Sequence, residues 1–229
     1  MIFVTATDTN VGKTYTSNDI IGEAKMLMPA SEIAYYKVAQ SGGDSELNDN
    51  DLGSVKANHP DIKIYCSYFF DYPAAPLVAA ELGDKNYEEI LHHKLKYNSG
   101  NIIKLDKILS DFEKIKKEHK FVLVEGSGGL AVPLTAELMI SDVAKALNLP
   151  TLIVARPDLG TINHSLLSLE HARNKGLDVL GIYFSNFPTR YIPSIHVRTA
   201  PEIISKFGDV DVYTKLEDLI PKLPIPVTK

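Results

Sequence analysis

The chain has 229 residues, 45% hydrophobic and 23% charged, with a formal net charge of −5. That length suits a single α/β domain over residues 1–229 with one continuous core, and the acidic balance excludes duplex nucleic acid and anionic membranes as favoured partners, since both attract basic surfaces. One cysteine, Cys66, excludes an internal disulfide and a cysteine-based metal centre. No apolar run nears the roughly 20 residues that span a bilayer, and Met1-Ile2-Phe3-Val4-Thr5 carries no basic leader, so a cytoplasmic protein is expected.

Ile2 to Thr5 is apolar on consecutive residues, the pattern of a strand buried on both faces of a parallel sheet. It leads into Ala6-Thr7-Asp8-Thr9-Asn10-Val11-Gly12-Lys13-Thr14, and a helical stretch follows from Tyr15. Strand, loop and helix around Gly-Lys-Thr is the setting of a phosphate loop. Successive backbone N–H groups curl around the phosphates and the helix dipole adds to them. Gly12 permits close approach, Lys13 brings a point charge to the outer phosphates, and Thr14 offers a hydroxyl to Mg²⁺. The spacing departs from the standard pattern: the glycine expected ahead of Gly12 is missing, and a one-residue-longer variant would want it at position 6, which is alanine.

Ile33 to Tyr36 is a weaker second strand, running into Lys37-Val38-Ala39-Gln40-Ser41-Gly42. Lys37 gains interest because that strand end opens onto the same crevice as Lys13. The following loop holds Asp44, Glu46, Asp49 and Asp51. Mg²⁺ takes one or two protein carboxylates and keeps waters, so most of these are solvated, and spacing alone leaves both Asp49 and Asp51 open. Ile64 to Phe70 reads as a further strand. Ile102, Leu105, Ile108, Leu109, Phe112 and Ile115 recur at helical spacing, with Asn101 placed to cap the helix and Lys104, Lys107, Lys114 and Lys116 on its wet face.

Phe121 to Val124 is a buried strand ending in Glu125, followed by a loop of Gly126, Ser127, Gly128 and Gly129. A carboxylate there is placed to hold Mg²⁺ or its water, and the glycines let backbone N–H groups reach a ligand. Met139 to Leu147 is a helix closed by Asn148 before Pro150, and Thr151 to Ala155 is a strand. Gly160-Thr161-Ile162-Asn163 opens a helix from Ile162 to Arg173, stopped by Lys175-Gly176; free N–H groups at such a start can hold a carboxylate. Val179 to Phe184 is another such strand, and Pro221 to Pro226 reads as an extended tail. The alternation predicts a doubly wound, mostly parallel sheet flanked by helices, P-loop NTPase-like, with ligands beyond the carboxyl ends of the strands.

The blocks Thr7 to Thr14, Tyr36 to Gly42, Val124 to Gly129 and Gly160 to His164 together resemble the motifs of the dethiobiotin synthetase family, in order and at similar separations, from residue 1 to about 190. That family has the longer phosphate loop, which accounts for the spacing; Ala6 remains a departure. The resemblance implies an ATP- and Mg²⁺-dependent cyclo-ligase of biotin synthesis. A diamine, 7,8-diaminopelargonic acid, takes up CO₂ as a carbamate; the carbamate attacks the γ-phosphate, and the second amine closes the ring on the mixed anhydride.

Carried over, Lys13, Lys37 and Thr9 would be catalytic; Thr9, Ser41, Gly160, Thr161 and Asn163 would bind substrate. Asn10, Val11, Gly12, Lys13, Thr14, Tyr15, Glu125, Gly126, Ser127, Gly128 and Asn186 would hold the nucleotide. Thr14, Asp51 and Glu125 would hold Mg²⁺, with Asp49 in reserve. The resemblance also implies a homodimer that brings Gly160 to Asn163 across a two-fold to the substrate carboxylate. No histidine is needed. Beyond Asn186, the family's purine contact, Gly208 to Val212 offers no counterpart to its base loop, so weak discrimination between ATP and other nucleotides is expected. The alternative is a switch-type P-loop ATPase of the partitioning and site-selection class. Its extra lysine is absent from Ala6 to Thr9, as are a membrane helix and a basic nucleic-acid face.

Overall fold

The computed structural model describes residues 1–43, 50–83, 85, 87–188 and 194–227. Seven parallel strands form one sheet in the order β3-β2-β4-β1-β5-β6-β7. They are β1 (Ile2–Ala6), β2 (Ile33–Ser41), β3 (Lys63–Phe70), β4 (Phe121–Gly129), β5 (Thr151–Ala155), β6 (Val179–Phe184) and β7 (Val212–Tyr213). The helices are α1 (Lys13–Leu27), α2 (Asp51–Asn58), α3 (Pro76–Leu82), α4 (Tyr87–Leu91), α5 (Leu105–Glu118), α6 (Ile140–Leu147), α7 (Thr161–Asn174), α8 (Ile195–Gly208) and α9 (Leu216–Leu219).

Consecutive apolar residues do what such runs must do in a sheet covered on both sides, because side chains alternate between faces. Ile2, Val4 and Ala6 enter one core with Ile20, Ile21 and Ala24 of α1 and Leu52 and Val55 of α2. Phe3 enters the other, with residues of α5, α6, α7 and α8. The strand that feeds the phosphate loop is thereby central, between β4 and β5, and buried throughout. No helix among the described residues is long and apolar enough to cross a membrane.

Four expectations change. The weak second strand is a nine-residue strand buried along nearly its whole length; Lys37 and Gln40 disguise it, both being buried. The glycine block after Glu125 is not a loop but the end of β4: after an irregularity in β1, Gly129 pairs with Ala6, and a Cβ at Gly129 would meet the Ala6 carbonyl oxygen at 2.9 Å. The helix drawn from Ile102 begins at Leu105, so Asn101 does not cap it; Asn101 closes a 3₁₀ turn, Ser99–Asn101. The proline-rich end starts with a 3₁₀ turn at Ile220–Lys222 and packs back, with Leu223 buried and the Pro224 carbonyl accepting from the Met1 amino group at 3.3 Å. Helix α8 had no counterpart in the sequence reading, since Pro201 sits inside it and proline opposes a helix interior.

Ile108 is fully buried between α5 and the sheet. Ile108→Ala is expected to lower the unfolding free energy by about 2–5 kcal/mol, through lost burial plus a cavity, which urea titration monitored by circular dichroism measures.

Candidate active site

Strand register builds the centre of the site. Lys37 on β2 and Glu125 on β4 are Cα partners, so their side chains project side by side from the same face of the sheet. The Lys37 Nζ donates to Glu125 Oε1 at 2.8 Å, to Asp51 Oδ2 at 2.6 Å and to the Gly126 carbonyl at 3.2 Å. All three ammonium protons are therefore engaged. Asp51 arrives because it opens α2, which Asn50 caps by accepting from the Gly53 N–H at 2.9 Å. Thr14, in the first turn of α1, donates to Asp51 Oδ1 at 2.6 Å and lies 3.1 Å from Glu125 Oε1. Ser17, one turn on, donates to Glu125 Oε2 at 2.6 Å.

Two of these charges lie out of water, Glu125 being 0% and Lys37 2% exposed, while the Asp51 side chain is 35% exposed. Burial pulls the Lys37 ammonium down, but Glu125 and Asp51 outweigh it and hold the group above the ordinary lysine range. Burial pushes the Asp51 carboxyl up, and the Lys37 charge, with hydrogen bonds from Lys37 and Thr14, brings it below the ordinary value. Lys13 is different. Burial and repulsion from Lys37 lower it, and the carboxylates only partly offset them. Beneath the cluster the fully buried Tyr35 side chain sits against Glu125, and burial together with that carboxylate pushes its phenol well up.

The loop over this cluster keeps unusual backbone angles. Asn10 has φ 57° and Gly12 φ 96°, and a Cβ at Gly12 would stand 2.1 Å from the Ser185 Oγ. Only glycine fits there, quite apart from any phosphate. The loop, the end of β2 and the start of α3 enclose a cleft of about 880 Å³, with Lys13, Thr14, Lys37, Ser41, Asp51 and Pro76 in its wall.

Thr9, Asn10, Gly12, Tyr15, Ser127 and Gly128 also line the cleft. Val11 turns inward to the core, and Glu125 and Gly126 lie below the cleft floor. Gly160, Thr161 and Asn163 sit at the start of α7 and are not among the residues lining the cleft. Asn186 lines a second cavity, of about 820 Å³, with Tyr15, Asp19, Phe187, Lys215 and Glu217. Asp44, Glu46 and Asp49 lie outside the described residues. Sequence reasoning missed Ser17 and Tyr35, the residues packed on Glu125, and the wall from Pro73 to Pro76. Ser17 was detectable, being three residues after Thr14 and hence on its helix face; the proline wall carried no signal.

A family model described as an AAA domain matches residues 1–222. ATP-dependent dethiobiotin synthetase of Methanocaldococcus jannaschii is 31% identical, the match covering 93% of this chain and 91% of that protein. The Bacillus licheniformis protein of that name is 34% identical, covering 96% and 87%, and the Methanococcus vannielii one 33% identical, covering 95% and 93%. Among solved structures, a ParA family ATPase from Chlorobium tepidum superposes with a TM-score of 0.50 at 12% identity, covering 95% of this chain and 84% of that one. The MinC:MinD cell division protein complex of Aquifex aeolicus contributes a match at TM-score 0.50 and 15% identity, covering 98% and 86%. Those two likenesses are of fold.

Replacing Lys37 by methionine leaves the buried Glu125 and the partly buried Asp51 without their cation, a change of about 3–5 kcal/mol. In Lys37→Met, Asp51 loses the charge that holds its carboxyl down and is expected to hold a proton more tightly in the folded than in the unfolded protein. The penalty shrinks as pH falls towards the unfolded carboxylate values near 4. Urea unfolding from pH 8 to pH 5 checks this: the deficit against the unsubstituted protein is expected to narrow on acidification.

Proposed function

The chain belongs to the ATP-dependent dethiobiotin synthetase family, and from that premise we propose that it carboxylates 7,8-diaminopelargonic acid with CO₂ and closes the product to the cyclic urea at the expense of ATP. It is a ligase that forms C–N bonds. The observation that carries the proposal is the meeting of two lysines, Lys13 and Lys37, in one cleft beside the phosphate loop. A reaction whose intermediates are a carbamate and a carbamic–phosphoric anhydride gathers negative oxygens at one place, and preorganised cations are what lowers its barriers.

In the proposed sequence one substrate amine adds to CO₂ and loses a proton, giving the carbamate. A carbamate oxygen then attacks the γ-phosphorus and ADP leaves. The second amine attacks the carbonyl carbon, phosphate departs, and the ring is closed. Lys13, with its lowered proton affinity and no carboxylate within ion-pair distance among the described residues, is ready to accept an anionic ligand and serves the γ-phosphate. Lys37 serves the carbamate oxygen, and Thr9 and Ser41, both in the cleft wall, hydrogen-bond the carbamate or the amine. Asn10 to Tyr15 and the Ser127-Gly128 edge cradle the phosphates.

Thr14 Oγ1, Asp51 and Glu125 form an all-oxygen set with separations of 2.6 and 3.1 Å from the hydroxyl, and two carboxylates with a hydroxyl suit Mg²⁺. Held there, Mg²⁺ would supply neutralisation of phosphate charge; Lys37, sharing Asp51 and Glu125 with it, would turn a proton towards the substrate.

The base belongs in the second cavity, which adjoins the phosphate cleft at Tyr15 and contains Asn186. Gly160, Thr161 and Asn163 do not line the cleft of their own chain, and in the proposed homodimer a partner's α7 start receives the substrate carboxylate. Leu159 beside it is 75% exposed. One P-loop domain in the cytoplasm completes the reading.

Incubation with the diamine, bicarbonate, Mg²⁺ and ATP is expected to yield the cyclic urea by mass spectrometry; ATP hydrolysis at one slow rate with and without diamine would refute the proposal. Lys37→Ala is expected to cut turnover by about 10²–10³-fold while nucleotide binding survives. Asp51→Asn is expected to raise the Mg²⁺ concentration for half-maximal turnover by about tenfold or more, read from a Mg²⁺ titration of the steady-state rate.

A further inference from the structure

Tyr15 is shared by both cavities, so it marks where a nucleotide passes from its phosphates to its base. Asp19 follows one helical turn later on the same face of α1 and lines the second cavity, half-buried. The wall of this cavity also holds Asn186, and Lys215 and Glu217 at the start of α9. Lys215 and Glu217 pair with each other at 3.5 Å. Asp19 has no such partner: among the described residues no donor reaches its carboxylate. Its charged neighbour on the helix, Glu23, has the same sign, and burial and Glu23 both push its carboxyl up.

A carboxylate that has no donor among the described residues and lines a cavity is a demanding wall. It offers only acceptors, so it rewards N–H donors and repels carbonyl oxygens. Among nucleobases, adenine and cytosine carry an exocyclic amine where hypoxanthine and uracil carry a carbonyl oxygen; guanine carries its amine on a different ring carbon and a carbonyl at the adenine-amine position.

We propose that Asp19 is a specificity-determining residue that accepts from the exocyclic amine of the base, so that amino-bearing nucleotides are taken and their oxo counterparts are refused. The inference rests on the second cavity being the base subsite. It also gives the expected breadth of nucleotide use a boundary: ATP and CTP share the feature that is read, and their oxo counterparts ITP and UTP lack it. A hydrogen bond to a charged group is worth roughly tenfold to a hundredfold in affinity, so the effect is measurable.

Calorimetric titration of the full chain with ADP, IDP, CDP and UDP in Mg²⁺ tests this without requiring the diamine. ADP is expected to bind at least about tenfold more tightly than IDP, and CDP than UDP. In Asp19→Ala both ratios are expected to fall to within about threefold. In the isosteric Asp19→Asn, whose amide both donates and accepts, they are expected to fall as well. Equal affinities within each pair in the unsubstituted protein, or preferences that persist in both variants, overturn the inference while leaving the ligase reading intact. Failure of all four to bind a folded chain overturns the nucleotide reading and this inference together.

Discussion

A lysine ammonium with both carboxylates of the site bonded to it, out of water, is the arrangement on which the rest depends. Lys37 and Glu125 bury charge that costs several kcal/mol per ion to desolvate, and their 2.8 Å contact, with the 2.6 Å contact from Lys37 to the partly exposed Asp51, offsets that cost. Such a cluster is stable only if nothing in it is displaced. Each member is therefore held by a different rigid element: Lys37 and Glu125 by the parallel register of β2 and β4, Asp51 by the capped start of α2, and the hydroxyls of Thr14 and Ser17 by the first turns of α1. The sheet order matters for the same reason. With β4 between β1 and β2, the strand carrying Glu125 lies against both the phosphate loop and Lys37.

The two lysines do different jobs because their surroundings differ. Lys37 is over-compensated by acids and stays charged under all ordinary conditions; Lys13 is under-compensated and keeps attraction to spare for a ligand. An electrostatic imbalance at the mouth of a cleft, above a balanced cluster at its floor, is a layout for receiving anions. The imbalance at Asp19 has the opposite sign and faces the other cavity, so in the proposed binding mode the two ends of a nucleotide would meet opposite charge. Tyr15 stands between them.

Likeness of fold to a ParA family ATPase and to the MinC:MinD complex speaks for the sheet and the phosphate loop and for nothing further. What separates this chain from a general nucleotide-binding fold is the group of side chains placed around that loop, and the relatives that match over most of its length are the dethiobiotin synthetases.

The strands and the phosphate loop were legible from sequence because both rest on local rules. A strand buried on both faces must be apolar at consecutive positions, and a helix start that binds phosphate needs Gly12, Lys13 and Thr14 adjacent in the chain. Glu125 and Lys37 could be proposed because strand ends in such a fold share a crevice. Spacing alone did not single out Asp51, since four acidic residues follow β2, and only the family resemblance pointed to it; the structure adds that the start of α2 brings it to 2.6 Å from Lys37. Ser17 and Tyr35 beneath Glu125 were not singled out either, nor was Asp19, which in sequence is an ordinary acidic residue on an amphipathic helix. Pairing, burial and lack of a partner are properties of neighbours far apart in the chain, so only the tertiary structure could decide them.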